Sequence, residues 1–223
     1  MPLIVLEGVD ASGKATQTKK LCERLTAEGK SLMKITFPDY DSPSSAPVKM
    51  YLSGELGETA DSVNAYAASA LFAVDRFCSY RKNWKDFLDN GGFVIADRYV
   101  TSNFIHQASK IEDPVKRDEY LDFQSDFEYE KIGLPKPDAV LFLDVPPEVS
   151  LKLIAERENK FDSDASHDIH ERDPKHLFKS YESAVYVADK FNFIKINCTE
   201  NGKLKTIEEI SDIIYESISN LIK

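Results

Sequence analysis

Short apolar runs alternate along this chain with longer segments in which apolar residues recur at three- and four-residue steps. A short run is typical of a buried strand, and the longer pattern is typical of an amphipathic helix. The runs predict strands at residues 3–7, 31–37, 93–96, 139–144 and 193–197. The periodic segments predict helices near residues 13–28, 46–53, 62–90, 101–110, 114–131, 146–157 and 174–190, and a last one after 206. Because strands alternate with helices, we expect a parallel, doubly wound sheet with ligands at the carboxyl ends of its strands.

Two segments differ from this regular alternation. The long helical segment carries an apolar stripe at Tyr66, Ala70, Val74, Phe77, Trp84 and Leu88. Residues 158–172 contain almost no apolar side chain, which predicts a lid rather than a packed element. Since no repeat or low-complexity linker divides the chain, we expect one domain over residues 1–223.

Composition and charge limit the class of protein. A chain of 223 residues can form one α/β domain with a full core. The net charge of −10 argues against a nucleic-acid-binding surface. Cys22, Cys78 and Cys198 are widely spaced, which favours reduced thiols over disulfides or a zinc site and predicts a cytoplasmic location. Since no leader pattern and no apolar run near ~18 residues is visible, we expect no membrane association.

The first predicted strand leads into a glycine-rich loop, Gly-x-x-x-x-Gly-Lys, at residues 8–14. Glycines tolerate backbone conformations that a Cβ forbids, so successive N–H groups can point into one concavity. The helix that follows begins with unpaired N–H groups, which suit an anion, and Lys14 can reach the terminal phosphates of a nucleoside triphosphate. A glycine-rich surface turn is the alternative, but the strand before and the helix after favour phosphate binding. The predicted phosphate-binding loop comprises Gly8, Val9, Asp10, Ala11, Ser12, Gly13, Lys14, Ala15 and Thr16.

This loop departs from the usual pattern at Ala15, where a serine or threonine normally ligates Mg²⁺. A methyl group cannot ligate a metal, so other oxygens must hold the ion or the site is relaxed. Thr16 comes one residue later and is turned roughly 100° away on a helix. We expect Thr16 to contact a phosphate rather than to replace the missing ligand.

Two residue pairs add candidate chemistry near the strand ends. Asp97 ends the third strand, where a carboxylate suits Mg²⁺, and Arg98 beside it suits a phosphate. The alternatives are a turn aspartate and an ion pair of Arg98 with Asp97 or Asp10.

Phe72 and Arg76 are four residues apart on one helix face, where a ring and a guanidinium can stack on a base and bond its edge. The alternative is a core phenylalanine and a solvated arginine.

Several segments, in order along most of the chain, resemble the thymidylate kinase family of bacterial type. They are residues 7–14 (EGVDASGK), 37–40 (FPDY), 70–76 (ALFAVDR), 97–103 (DRYVTSN), 133–138 (GLPKPD) and 171–173 (ERD). The resemblance implies a three-layer P-loop kinase fold with a five-stranded parallel sheet flanked by helices. It also implies ATP-dependent phosphorylation of dTMP to dTDP with Mg²⁺, for dTTP synthesis, by a homodimer.

The resemblance assigns five residues to the acceptor nucleoside. Phe72 would stack on the thymine, Arg76 would bond its carbonyl edge, and Asn103 would pair with the ring N3 and a carbonyl. Phe37 would line the pocket. His106 stands where relatives often carry a tyrosine that crowds out a ribose 2′-hydroxyl, which puts a strict deoxynucleotide preference in question.

The resemblance also assigns residues to the reacting phosphates. Arg98 and Tyr40 would hold the acceptor phosphate, and Asp10 would hold the 3′-hydroxyl or, with Asp97, the metal ion. Transfer would be in line, and the anionic acceptor oxygen needs no general base. Lys14, Arg98 and Mg²⁺ would neutralise the transferred charge.

One charge expected from the family has to come from the lid. Ala11 stands where another branch of the family carries an arginine, so a lid arginine would neutralise the transferred phosphate. Arg157 is the first candidate, and Lys160 and Arg172 are weaker ones. A solvated lid charge is the alternative for each of them.

Other functions fit the sequence less well. Residues 159–162 (NKFD) and 89–92 (DNGG) imitate GTPase motifs, but neither follows a strand as a GTPase requires. His167, His170, Asp164 and Asp168 could form a metal cluster, although an acidic segment of this kind is more often solvated. The remaining rivals are a kinase for another nucleoside monophosphate and a nucleotide-binding relative weakened by Ala15.

Overall fold

The computed structural model describes residues 2–158 and 174–222. Apart from its first residue, the predicted lid therefore lies outside the described residues. The same holds for Lys160, Arg172, the segment 159–162 and the four candidate metal ligands between residues 164 and 170. These expectations remain predictions.

The centre of the fold is a five-stranded parallel sheet. Its strands are β1 Leu3–Glu7, β2 Leu32–Thr36, β3 Phe93–Asp97, β4 Ala139–Asp144 and β5 Ile194–Asn197, in the order β2-β3-β1-β4-β5. In the register, Leu3 lies beside Val94 and Ile4 beside Ala139. The five predicted strands and their parallel arrangement are confirmed. A short hairpin, β6 Thr199–Glu200 and β7 Lys203–Leu204, was not predicted.

Helices cover both faces of the sheet. They are α1 Lys14–Ala27, α2 Ala46–Leu52, α3 Ala65–Ser79, α4 Lys85–Asp89, α5 Val100–His106, α6 Pro114–Ser125, α7 Pro147–Glu158, α8 Pro174–Lys190 and α9 Ile207–Ser217. A π-helical segment, Tyr80–Trp84, joins α3 to α4, so the predicted helix at 62–90 is nearly continuous. A second π-helical segment, Asp126–Lys131, extends α6. No helix in the described part of the chain has the length and hydropathy of a membrane span.

Alternation of side chains along the buried strands produces two separate cores. Leu3 and Val5 face one core, which is covered by α3, α5, α6 and α8. Ile4 and Leu6 face the other core, which is covered by α1 and α9. Successive side chains of a strand point to opposite faces, so a strand buried on both faces needs a continuous apolar run. The arrangement is the three-layer α/β fold that the sequence predicts.

The apolar stripe of the long helix divides between the interior and the surface. Trp84 is fully buried, but Tyr66, Val74 and Phe77 are 43%, 49% and 40% exposed. The inward face of α3 carries small and polar residues instead, among them Arg76, which is 1% exposed. In the single chain, the apolar α3 face formed by Tyr66, Val74 and Phe77 is therefore open to solvent.

The terminal helix α9 begins at a capping box formed by Thr206 and Glu209. Glu209 N–H donates to Thr206 Oγ1 at 3.2 Å, and Thr206 N–H donates to Glu209 Oε2 at 2.7 Å. This exchange satisfies N–H groups that a helix start leaves unpaired. Ile210 and Ile214 then pack into the core beneath α1.

Truncation of the α9 contact should destabilise the fold. Ile214 is 1% exposed, so Ile214→Ala removes apolar contacts and leaves a cavity. We expect the free energy of unfolding in urea to fall by about 2–5 kcal/mol. Ile207→Ala, at a position that is 45% exposed, is the matched control and should change it by less than about 0.5 kcal/mol. Equal effects of the two substitutions would contradict the packing described for α9.

Candidate active site

The loop predicted to bind phosphate lies between β1 and α1, at the carboxyl edge of the sheet. Gly13 has a φ of 84°, a left-handed conformation that glycine adopts without strain. Gly8 is required for space, because a Cβ there would lie 3.2 Å from the carbonyl oxygen of Leu143 and 2.5 Å from Ser12 Oγ. Ser12 N–H closes the loop by donating to the Val9 carbonyl at 3.2 Å. Both glycines therefore serve the loop geometry that the spacing predicts.

Lys14 is buried inside this loop. Its Nζ donates to the Val9 carbonyl at 2.8 Å and lies 3.5 Å from Ser12 Oγ. Burial lowers the pKa of Lys14 to about 8, and the Arg98 guanidinium contributes to the decrease. Nearby carboxylates oppose this decrease, namely those of Asp10, Asp97 and Glu7. The amine is thus poorly solvated and surrounded by groups of both charges.

The first turn of α1 presents Ala15 and Thr16 to solvent, whereas Gln17 and Thr18 are buried. Ala15 offers no oxygen at the position that usually ligates a metal. The expected phosphate contact of Thr16 remains a prediction.

Arg98 joins the loop to the neighbouring pocket. Its Nη2 donates to Asp10 Oδ1 at 2.5 Å, so the ion pair considered as an alternative is present. Its Nη1 lies 2.7 Å from His106 Nε2. A guanidinium nitrogen only donates, so His106 Nε2 is the acceptor in this contact. Arg98 also has a φ of 68°, an uncommon conformation for a residue with a Cβ.

A buried carboxylate that sequence reasoning missed holds this strand end in place. Glu7 accepts from Tyr99 N–H at 3.2 Å, Thr101 Oγ1 at 2.7 Å and Ser102 Oγ at 2.8 Å. Burial raises the pKa of Glu7, and the hydrogen bonds from Thr101 and Ser102 oppose that rise. Glu7 therefore fastens the end of β1 to the start of α5. Its only signal in the sequence is a carboxylate at the end of an otherwise apolar run.

One pocket brings together all eight residues expected to contact the acceptor nucleotide. They are Asp10, Phe37, Tyr40, Phe72, Arg76, Arg98, Asn103 and His106. Phe37 is buried in the pocket wall, and Tyr40 is 49% exposed at its mouth. Phe72 is half-buried, with its ring edge-on to Tyr51 at a centroid distance of 6.0 Å. The convergence of these side chains follows from the parallel strands, whose carboxyl ends share one edge of the sheet.

The inner end of the pocket is polar and fully buried. Arg76 donates through Nε and Nη2 to the two oxygens of Glu128, at 2.6 and 2.5 Å. The alternative of a solvated Arg76 is therefore wrong. Asn103 Nδ2 donates to Glu128 Oε1 at 3.0 Å, and Gln124 Nε2 contacts the same oxygen. Sequence reasoning missed Glu128, which lies 52 positions from Arg76 in a segment with no recognisable motif.

The loop that carries Tyr40 is fixed by another unpredicted residue. Asp75 accepts from Asp39 N–H at 2.8 Å and from Ser44 Oγ at 2.7 Å. Burial raises the pKa of Asp75, while these two hydrogen bonds oppose the rise. Asp75 therefore connects α3 to the loop at the pocket mouth.

The remaining predicted site residues are placed less completely. Asp97 is buried at the end of β3, beside the loop. Arg157 belongs to α7, but its side chain is outside what the structure describes. Its role in charge neutralisation stays a prediction.

A phosphate-binding loop on the central strand, with a polar pocket across the neighbouring strand ends, is the arrangement of a P-loop nucleotide kinase. The comparison with known proteins narrows this class. The family model described as thymidylate kinase matches residues 6–209, so the chain belongs to the thymidylate kinase family.

Individual relatives agree with this membership. The chain is 35% identical over 149 residues to thymidylate kinase of Mycobacterium tuberculosis. The aligned region covers 66% of this chain and 68% of the relative. It is 36% identical over 157 residues to thymidylate kinase of Caenorhabditis elegans, covering 66% and 65% of the two chains. It is 27% identical over 221 residues to a probable thymidylate kinase of Methanococcus maripaludis, covering 99% and 98%.

The low pKa of Lys14 predicts proton uptake when ATP binds. With a pKa of about 8, roughly half of the Lys14 amines are neutral at pH 8. Anionic phosphates favour the charged amine, so binding at pH 8 should take up a fraction of a proton, and affinity should fall as the pH rises further. Calorimetry in buffers of different ionisation enthalpy measures this uptake.

Lys14→Ala is the control for this measurement. The variant should bind ATP more weakly and without the proton uptake at pH 8. If wild type and variant took up the same number of protons, Lys14 would not be the titrating group.

Proposed function

We propose that this chain transfers the γ-phosphoryl group of ATP to dTMP, giving dTDP for dTTP synthesis. The observation that supports it is the single pocket in which all eight expected acceptor residues meet, adjacent to the phosphate-binding loop. The relatives described above from Mycobacterium tuberculosis and Caenorhabditis elegans are thymidylate kinases, which agrees with this reaction. In this proposal the two nucleotides lie head to head, with their phosphates meeting above the first turn of α1.

The chain's own residues would position both reactants. Phe72 stacks on the thymine, and Arg76 and Asn103 bond its edge. Arg98 and Tyr40 then hold the acceptor phosphate. Because Arg98 is already oriented by two partners, little side-chain order has to be gained when the phosphate binds.

Charge neutralisation would come from both sides of the transferred group. Lys14 contacts the phosphates from the loop, where its poor solvation strengthens the attraction. Arg157 contributes from the lid side, with Lys160 and Arg172 as weaker candidates. The acceptor oxygen is anionic, so no residue has to act as a general base.

The residues present fit a magnesium ion next to the phosphates. Asp10 and Asp97 both lie near Lys14, and Mg²⁺ is typically held by one or two carboxylates together with substrate phosphates and waters. Among the described residues there is no group of three or more His, Cys, Asp or Glu that could hold a metal ion alone. A bound Mg²⁺ would neutralise developing charge on the phosphates. Since Ala15 provides no ligand, Asp10 and Asp97 carry this role.

Two further proposals concern the assembly and its location. We propose that the open α3 face, formed by Tyr66, Val74 and Phe77, joins two chains in a homodimer, because apolar patches of this kind mark interfaces. The free thiols of all three cysteines agree with the expected cytoplasmic location.

A coupled assay of ADP release tests the proposed reaction. Turnover of dTMP should exceed that of dUMP, dCMP, dGMP and UMP, because the pocket is proposed to bind thymidylate. Lys14→Ala is the control against a contaminating kinase and should lower kcat by about 10²–10³-fold.

Two other results would redirect the assignment. Faster turnover of another monophosphate would identify a related kinase, and UMP in particular would implicate His106. No turnover with ATP binding retained would favour a nucleotide-binding relative weakened by Ala15.

A further inference from the structure

Glu128 organises the inner end of the pocket without belonging to any predicted site. It lies on the π-helical segment after α6 and is fully buried. It accepts from two nitrogens of Arg76 and from Asn103 Nδ2, and Gln124 Nε2 also contacts it. A buried carboxylate is tolerated only when it is paired and well hydrogen-bonded, and Glu128 meets that condition.

This carboxylate determines which way the Asn103 amide points. Asn103 Nδ2 lies 3.0 Å from Glu128 Oε1 and 3.4 Å from the Ser69 carbonyl oxygen. A carboxylate and a carbonyl only accept, so the amide nitrogen has to face them. The amide oxygen, an acceptor, is left for the pocket that Asn103 lines.

Glu128 also determines which nitrogen of Arg76 is available to a ligand in the pocket. Nε and Nη2 are held by the two oxygens of Glu128, whereas Nη1 has one long contact, 3.4 Å, to the Tyr99 carbonyl. An arginine nitrogen only donates, so Nη1 can present a donor to the pocket. Side by side, Arg76 and Asn103 therefore present one donor and one acceptor.

We propose that Glu128 is a positioning residue that selects the base by fixing this donor–acceptor pair. Thymine offers the complementary edge, since its O4 accepts and its N3–H donates. Cytosine offers the reverse edge, since its amino group donates and its N3 accepts. This assignment rests on the proposed function, because it requires a pyrimidine in this pocket.

Glu128→Gln changes the hydrogen-bonding pattern around Arg76 and Asn103 with little change in side-chain shape. A glutamine amide has one acceptor oxygen and an NH₂ group that donates. Its oxygen is needed at the position of Oε1, where Arg76 Nη2, Asn103 and Gln124 all donate. Its NH₂ group then faces Arg76 Nε, which is also a donor, and the ion pair is lost. The guanidinium is therefore released from its fixed orientation, and its Nη1 donor is no longer held opposite the position of thymine O4.

The test compares two substrates that differ only at this edge, dTMP and 5-methyl-dCMP. For the wild type we expect kcat/KM to favour dTMP on the order of 10³-fold, because a mismatched polar edge leaves buried groups unpaired. In Glu128→Gln this preference should fall at least tenfold, mainly through KM for dTMP, with KM for ATP unchanged. Glu130→Gln, at an exposed residue paired with Lys136, is the matched control and should keep the wild-type preference.

Folding of the variants is checked by their melting temperatures. If Glu128→Gln does not fold, Glu128→Asp takes its place, because it keeps the charge opposite Arg76 and withdraws the carboxylate from Asn103 by one methylene. The preference for dTMP should fall in that variant as well.

An equal loss of kcat/KM for both substrates would overturn the selective role of Glu128 and leave it a structural support. A wild type without activity on dTMP would remove the proposed function, and this inference with it. The two failures are distinguishable, because only the first leaves an active wild type and an active Glu130→Gln control.

Discussion

The site depends on the buried carboxylate of Glu7, which connects the strand that enters the phosphate loop to the helix that carries the acceptor pocket. It accepts from the Tyr99 backbone and from the Thr101 and Ser102 hydroxyls. Burying a carboxylate is costly unless its hydrogen bonds are made, so the three donors are kept around Glu7 in the folded chain. Arg98 precedes the contact directly and Asn103 follows it within the same helix. Glu7 thereby fixes the position of the loop relative to the pocket.

The interior around the pocket is polar, and this has a consequence for the surface. The inward face of α3 carries alanines, serines and Arg76, which line or border the pocket proposed for the acceptor nucleotide. The larger apolar side chains of the same helix, such as Val74 and Phe77, then point outward. One helix can thus serve two interfaces, with a ligand on one side and, as proposed, a second chain on the other.

Local patterns predicted most of the fold and the phosphate loop. The strands are buried on both faces, so each is a continuous apolar run, and the loop is defined by residues close in sequence. The spacing of Phe72 and Arg76 already suggested a pair that could bind a base, whereas the pocket residue Asn103 was reached only through the family resemblance. Glu7, Asp75 and Glu128 were missed because the site residues that each of them contacts lie 25 or more positions away, which periodicity does not reveal. Periodicity also could not tell that the Val74–Phe77 stripe faces outward, since it detects an apolar face and not what covers it.

The most direct measurement is a crystal structure of the wild type with dTMP and a non-hydrolysable ATP analogue. The account predicts thymine against the Phe72 ring, with O4 within hydrogen-bond distance of Arg76 and N3 facing the amide oxygen of Asn103. The acceptor phosphate should lie on Arg98, in line with the terminal phosphate held by Lys14. A base bound away from Phe72 and Arg76, or phosphates that do not meet above α1, would contradict it.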